Sequence, residues 1–216
     1  MYRRLTAACF CALLAWATTV SAQDAEWRLG GRALYMSGGA SSQGVGDGGA
    51  SLELGAGFGL EYVAVAGFSE MFAAEFTVGA TLQSLTVTGN DIGFGDVDGG
   101  WVWLFPLTAL GQFHIPVYGK WDPYLGLGVA WTVPYYKLSD DIKNTGVDDI
   151  DFKGTLGLAA QAGFNYTLNN RWFANFDVRY LGVSLEAEVT LDDGSVDTVD
   201  LDTKPWVFGI GFGYRF

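Results

Sequence analysis

The sequence predicts an all-β protein: an eight-stranded antiparallel transmembrane β-barrel with short periplasmic turns and long extracellular loops. Three observations carry that expectation. In the closing stretch 206–216, large apolar residues hold every even position (Trp206, Phe208, Ile210, Phe212, Tyr214, Phe216), and Gly209, Gly211, Gly213 and Arg215 lie between them. A period of two is a strand with one greasy and one thin face. In a membrane barrel the first face meets lipid and the second a crowded interior. Next, no run of 18 apolar residues follows residue 22, so no helix can span a bilayer, which needs about 20. Finally, eight alternating runs are joined by connections that are short and long in turn.

The chain opens on a secretory leader. Arg3 and Arg4 supply a charged start, Leu5 to Val20 an uncharged apolar run, and Val20-Ser21-Ala22 a small-x-small cleavage site. Residues 1–22 are therefore read as a signal peptide and 23–216 as one barrel domain. Cys9 and Cys11, the only cysteines, lie in the leader. The stretch Leu5-Thr6-Ala7-Ala8 before Cys9 is a poor lipoprotein box, so lipidation is not expected; the mature chain 23–216 then has no cysteine, which excludes disulfide and thiol chemistry. Without Arg3 and Arg4, ten basic residues face 24 acidic ones, a net charge of −14. Nucleic acid, with its own phosphates, is excluded as a partner. Half of the residues are apolar, 15 % aromatic, and 31 are glycine. In an exported chain without apolar helices, that composition suits an outer-membrane barrel of a Gram-negative bacterium.

The strands follow in order, each with its lipid-facing set. The first spans 26–37 with Trp27, Leu29, Ala33 and Tyr35; the second spans 51–65 with Leu52, Leu54, Ala56, Phe58, Leu60 and Tyr62. The third spans 72–87 with Ala74, Phe76, Val78, Ala80 and Leu82. The fourth spans 101–117 with Trp101, Trp103, Phe105, Leu107, Ala109, Phe113 and Ile115. The fifth, 123–138, carries Leu125, Leu127, Val129, Trp131 and Val133. The sixth, 154–168, carries Leu156, Leu158, Ala160, Ala162, Phe164 and Tyr166. The seventh, 172–188, carries Trp172, Ala174, Phe176, Val178 and Tyr180, and the eighth is 206–216. An even number of such runs marks a closed barrel. Connections after the second, fourth and sixth are short: Gly67-Phe68-Ser69-Glu70, Gly119-Lys120-Trp121-Asp122 and Asn169-Asn170-Arg171. The others are long and rich in Gly, Asp and Ser, which sets both termini in the periplasm. Trp121, Tyr166 and Trp172 lie near the short turns, where an aromatic girdle belongs. Phe216 ends the last strand and is expected to engage the outer-membrane assembly machinery.

The residues between the lipid-facing ones line the lumen. Toward the periplasm they collect Arg28, Arg32, Glu61, Glu75, Gln112, His114, Gln161, Asn165, Asp177, Arg179 and Arg215. Toward the outside they offer Leu34, Met36, Leu104, Pro106, Leu110, Leu181, Val183 and Leu185. Buried charges must be paired, so the first set is expected to form a hydrogen-bonded plug beneath an apolar vestibule. An eight-stranded barrel has room only for its own side chains or one small ligand. Pro106 and Pro134 fall mid-strand, where each removes a ladder donor, and they mark a candidate lateral seam or a bulge. His114, the only histidine, has no serine beside it on its inward face, so no catalytic residues are assigned. The acidic stretches Asp140-Asp141, Asp148-Asp149-Ile150-Asp151 and 192–202 do not match an EF-hand. They read as solvated loops, or as carboxylates bridged by divalent cations to lipopolysaccharide. Gly44-Val45-Gly46-Asp47-Gly48-Gly49 lacks the Lys-Ser/Thr ending of a phosphate loop, so no cofactor and no resident metal are expected.

Several motifs, taken together, resemble the outer-membrane protein W family. They are Pro106-Leu107-Thr108, Asp122-Pro123-Tyr124-Leu125-Gly126-Leu127-Gly128, Asn170-Arg171-Trp172-Phe173, Asp177-Val178-Arg179-Tyr180 and the ending 204–216. The resemblance covers nearly the whole mature chain. It implies an eight-stranded barrel whose lumen is apolar toward the outside. The family, with its alkane-import relatives, is associated with uptake of small hydrophobic compounds that leave sideways into the membrane. The expected function is therefore passive uptake of a small hydrophobic solute, with outer-membrane lipid and lipopolysaccharide as surroundings. The alternative is a structural or surface-interaction barrel whose loops do the work.

Overall fold

Period-two strands with one apolar face cannot leave an edge in a bilayer, because lipid offers no hydrogen bonds to a bare ladder. A computed structural model shows how the chain meets that requirement. It describes residues 26–38, 40–45, 50–89, 94–136, 147–191 and 196–216. Twelve strands occur among them: β1 (Glu26–Met36), β2 (Ala40–Val45), β3 (Ala50–Gly67), β4 (Phe72–Gly89), β5 (Phe94–His114) and β6 (Trp121–Tyr136), then β7 (Val147–Gly154), β8 (Leu156–Thr167), β9 (Trp172–Gly182), β10 (Ser184–Leu191), β11 (Val196–Asp202) and β12 (Trp206–Arg215). Eight of them close a barrel in the order β1-β12-β9-β8-β6-β5-β4-β3, every pair antiparallel. Closure falls on β1, which pairs with β12 from Arg28↔Arg215 to Met36↔Val207 and with β3 from Glu26↔Gly67 to Met36↔Gly57. The lipid face is a continuous coat of exposed Trp, Phe, Leu, Ile and Val, among them Phe58, Leu60, Leu127, Leu158 and Ile210.

The expected strands lie within a few residues of the observed ones, apart from the fourth, expected at 101–117 and observed from Phe94 to His114, and with two further corrections. The expected sixth and seventh strands, 154–168 and 172–188, do not run on unbroken. Each is interrupted, at Thr155 and Val183, and β7 and β10 continue with β11 as a separate three-stranded sheet. At the break, Ser184 N donates to Thr155 Oγ1 at 2.9 Å while that hydroxyl donates to the Ser184 carbonyl. One side chain thus replaces the missing rung of the ladder. The second correction concerns the face of Leu54, which was placed among the lipid-facing residues. The β3–β4 register slips by one between Leu54 and Gly57, and such a bulge exchanges faces above it. Leu54 is accordingly buried inside.

The short connections are closed by their own side chains. Ser69 Oγ accepts from the Met71 and Phe72 amides, and Asn169 Oδ1 from those of Arg171 and Trp172. Gly119 holds a φ of 108° in the β5–β6 turn, which favours glycine. At this end Trp121 meets Tyr166 edge-on at 4.9 Å and Trp172 meets Tyr214 at 5.2 Å. That is the girdle the sequence placed there. At the other end, β2 folds back on the top of β3 and the β4–β5 pair extends to Gly89↔Phe94. The wall therefore stands tall on that side. The leader and the residues Asp140, Asp141, Asp192 and Asp193 lie outside the described residues.

A closed ladder of this kind resists detergent. The unheated protein should migrate faster on a denaturing gel than the boiled one, and an identical mobility would contradict a closed barrel.

Candidate functional site: a charged floor beneath an apolar chamber

The lower lumen is filled by one connected set of ion pairs. Arg32, on β1, donates from Nη1 to Glu61 Oε1 and Glu75 Oε1, each at 3.1 Å, and from Nη2 to Glu75 Oε2 at 2.7 Å. Its Nε donates to Asn175 Oδ1. Arg179, on β9, grips Glu61 with both terminal nitrogens at 2.7 Å, the forked geometry that suits guanidinium and carboxylate. Arg179 Nε lies 2.8 Å from Asp177 Oδ2, yet out of line for a hydrogen bond, so that contact is Coulombic. Gln161 donates to both Glu75 and Asp177, and Gln112 to Glu75 and Gln161. Glu61, Glu75, Asp177, Arg32 and Arg179 are all buried. Their mutual pairing is what makes five charges tolerable there.

A second layer sits toward the short turns. Arg28 Nη1 donates to Asp122 Oδ2 at 3.3 Å, and Asn165 donates to the same oxygen at 3.0 Å. His114 Nδ1 lies 2.6 Å from Asp122 Oδ1, and its Nε2 lies 3.3 Å from Gln112 Oε1. Both ring nitrogens are therefore engaged within the floor. Asp122 is the acid that sequence reading missed: it was assigned to a turn, but it belongs to β6. Asn175 and Tyr124 were missed as well, although both share the inward parity of their strands, and Asn175 donates to the Tyr124 hydroxyl at 2.9 Å. Arg215 joins this layer only at its edge, its Nε 3.8 Å from Glu26 Oε1, which lies 3.9 Å from Arg28 Nε. It donates to Thr167 Oγ1 at 3.4 Å and lies over the Phe173 ring at 5.4 Å, at the rim. A cavity of about 20 Å³ borders Arg32, Glu75, Tyr124 and Asn175, room for about one water.

Above the floor the lumen turns apolar. Leu34, Met36, Leu104, Leu110, Leu181 and Val183 are buried in one cluster, and Pro106 is buried beside Gly79. Leu54, Leu85, Val102, Ala130, Ala159 and Val207 complete that cluster. Leu185 lies on β10, and its side chain is outside the described residues. At the top a cavity of about 10 Å³ is bordered by Met36, Leu54, Gln83, Leu104, Thr132 and Val183.

The wall beside this chamber is thin at two places. The β4–β5 ladder runs Val78↔Leu107 and then Thr81↔Leu104. Gly79 and Ala80 thus have no partner opposite Pro106 and Phe105, though the register is unchanged. Proline has no N–H to offer, and a Cβ on Gly79 would lie 3.1 Å from the Pro106 ring. Pro134 acts differently. The β5–β6 ladder passes through Leu104↔Pro134 without interruption. On its other flank, β6 has no ladder pairing above Trp131↔Leu156, because β7 pairs with β10 instead, although Gly154 of β7 still packs against the Thr132 carbonyl and the Pro134 ring. Pro134 occupies that flank, where the contact is packing without ladder bonds.

Comparison with known proteins follows the same outline. A family profile described as the OmpW family matches residues 39–216. Outer membrane protein W of Salmonella typhimurium is 33 % identical over 156 residues, 69 % of this chain and 72 % of that protein. An uncharacterized outer-membrane protein of Sinorhizobium fredii is 32 % identical over 151 residues, 69 % of this chain and 62 % of that protein's length. The crystal structure of the outer membrane protein OprG from Pseudomonas aeruginosa superposes with a TM-score of 0.78 at 25 % identity, covering 89 % of this chain and 96 % of that one. The fold of the outer membrane protein AlkL is shared at a TM-score of 0.69 and 21 % identity, over 89 % of this chain and 90 % of that one.

Proposed function

Because the chain belongs to the OmpW family of outer-membrane barrels, we propose that it is a passive conduit for small hydrophobic solutes, with the apolar vestibule as receiving chamber and a lateral exit into the bilayer. One arrangement carries this reading: the apolar chamber lies above a floor of buried ion pairs and is flanked by a ladder that lacks rungs at Pro106 and above Trp131. The lipopolysaccharide layer outside is polar, so an apolar solute gains from a path that bypasses its sugars. Burying roughly 150–200 Å² of solute in the chamber yields about 4–5 kcal/mol, before the entropic cost of immobilisation. The remainder is weak binding, which suits a path the solute must also leave. Arg32, Glu61, Glu75, Asp177 and Arg179 would have to be unpaired for it to pass downward, so the way out is sideways. Side chains fill the chamber in this state, and passage requires Met36 and its leucine neighbours to move.

Two variants test the path in cells that depend on uptake of a hydrophobic compound. Leu110→Asp places an unpaired carboxylate in the chamber and should slow uptake at least about tenfold, the equivalent of about 1.4 kcal/mol. Pro106→Val restores a ladder donor facing β4 and should slow uptake about threefold, in keeping with one hydrogen bond worth about 0.5–1.5 kcal/mol. The unheated gel band reports whether each variant has assembled. If both assemble and import at the normal rate, the chamber is packing alone and the alternative stands. That alternative, a surface-interaction barrel, is favoured by the three-stranded β7-β10-β11 sheet beyond the barrel wall.

Assembly places its own demand on the C-terminus. Phe216 N donates to the Trp27 carbonyl at 3.0 Å, while the ring is 74 % exposed and meets Tyr214 at 5.1 Å. An exposed terminal aromatic at the β1–β12 closure supports a role as the handle for the assembly machinery. Deleting Phe216 should reduce the fast-migrating band far more than deleting one extracellular loop residue; equal reductions would refute that role.

A further inference from the structure

The upper cavity holds a feature that hydrophobic packing does not explain. Thr132 is 3 % exposed, points inward from β6, and its Oγ1 has no hydrogen-bond partner. A buried hydroxyl without a partner is unfavourable, and valine would fill the same volume without it. The Gln83 side chain borders the same cavity, reaching it across β3 at Gly57, where any Cβ would overlap the Gln83 chain. The cavity's other described hydroxyls each make a bond to the backbone. Ser37 Oγ accepts from the Trp206 amide at 2.9 Å, and Thr203 Oγ1 donates to the Val183 carbonyl at 2.7 Å. The rest of the lining is apolar: Met36, Leu54, Leu104, Val183 and Pro205 with Gly38. Among the described residues, no ionisable side chain borders the cavity.

We propose that Thr132 and Gln83 form a polar anchor at the top of the chamber, so that the solutes taken are amphipathic: an alkyl tail carrying one uncharged hydrogen-bonding head, such as an alcohol, aldehyde or ester. This rests on the solute path proposed above and specifies its substrate class. The head is uncharged because a charged one would leave water for a lining without a counter-ion. A single head is favoured because the threonine hydroxyl and the glutamine amide face one small cavity, while most of the described walls and the chamber below are hydrocarbon. The tail then lies against Met36 and Leu104, and Met36 is unbranched and flexible enough to yield to it. The cavity of about 10 Å³ accommodates the head once Met36 shifts.

The test compares uptake of radiolabelled 1-dodecanol and n-dodecane at equal free concentration by cells carrying the barrel, after subtracting uptake by cells without it. The wild type should admit the alcohol about five- to tenfold faster than the alkane, the ratio expected of one added hydrogen bond. Thr132→Val should bring that ratio close to one, and Thr132→Ser, which keeps the hydroxyl, should retain the preference. A ratio unchanged in Thr132→Val, with both compounds still imported, would overturn the anchor and leave the path intact. Barrel-dependent uptake of neither compound would defeat the path and the anchor together. Thr132→Val should also unfold at the same temperature as the wild type or higher, since it removes an unpartnered hydroxyl. A lower midpoint would show that the fold already satisfies this group and would overturn the proposal.

Discussion

Replacing Arg179 with methionine is expected to destabilise the barrel by about 3–5 kcal/mol, the usual consequence of leaving a buried carboxylate without its partner. The loss has identifiable sources. Glu61 gives up a two-pronged contact at 2.7 Å on each prong, and Asp177 gives up the guanidinium 2.8 Å away. Arg32 remains as a partner to both, which sets the upper bound. Unfolding midpoints in urea, read from the gel shift, check the size of the effect. The double variant Glu61→Gln, Arg179→Met should be less damaged than the sum of its single changes, because the two side chains share one interaction. A loss below about 1 kcal/mol, the range of exposed pairs, would mean that water reaches the floor and that the plug is not sealed.

Gly209→Leu should abolish the assembled form, although the position lies on a strand and carries no charge. A Cβ at Gly209 would overlap Asp177 Oδ1 and lie 3.2 Å from Arg32 Cδ. Neither neighbour can retreat, since Asp177 is held by Gln161, Arg32 and Arg179. Overpacking alone costs about 1–3 kcal/mol, and the displaced carboxylate adds the loss of its partners. Ile210→Leu, one residue along and facing lipid, should change nothing measurable. If Gly209→Leu also assembled normally, the thin face of β12 would have no part in seating the plug. The glycines at 209, 211 and 213 thus account for the pattern that first marked the strand: they leave room for Asp177 and Arg32, for the β1 backbone, and for the Phe173 ring respectively.

Parity made most of the site legible. Alternation assigned Arg28, Arg32, Glu61, Glu75, Asp177 and Arg179 to the interior without any knowledge of contacts, because a strand in a closed wall has only two faces. It would have found Asn175 and Tyr124 equally well, since each is an inward step from a residue that was named. What parity cannot supply is pairing across the lumen. Arg179 meets Glu61 across 118 positions of sequence, and only the barrel's shear decides that contact. Leu54 was misplaced because a bulge is one extra residue with no mark of its own in the pattern. The breaks at Thr155 and Val183 were hidden for a related reason. Alternation persists through them, while the strands change neighbours.

Electrically, the floor proposed as a plug should make this barrel an insulator. Among the described residues, an ion bound for the periplasm would meet arginines and carboxylates with a gap of about 20 Å³ among them. Moving a bare ion into so poorly polarisable a medium costs on the order of 20 kcal/mol in the idealised limit. On the proposed path, a cell could carry many copies of this protein without short-circuiting the ionic difference across its outer envelope, and oily molecules would cross where current does not.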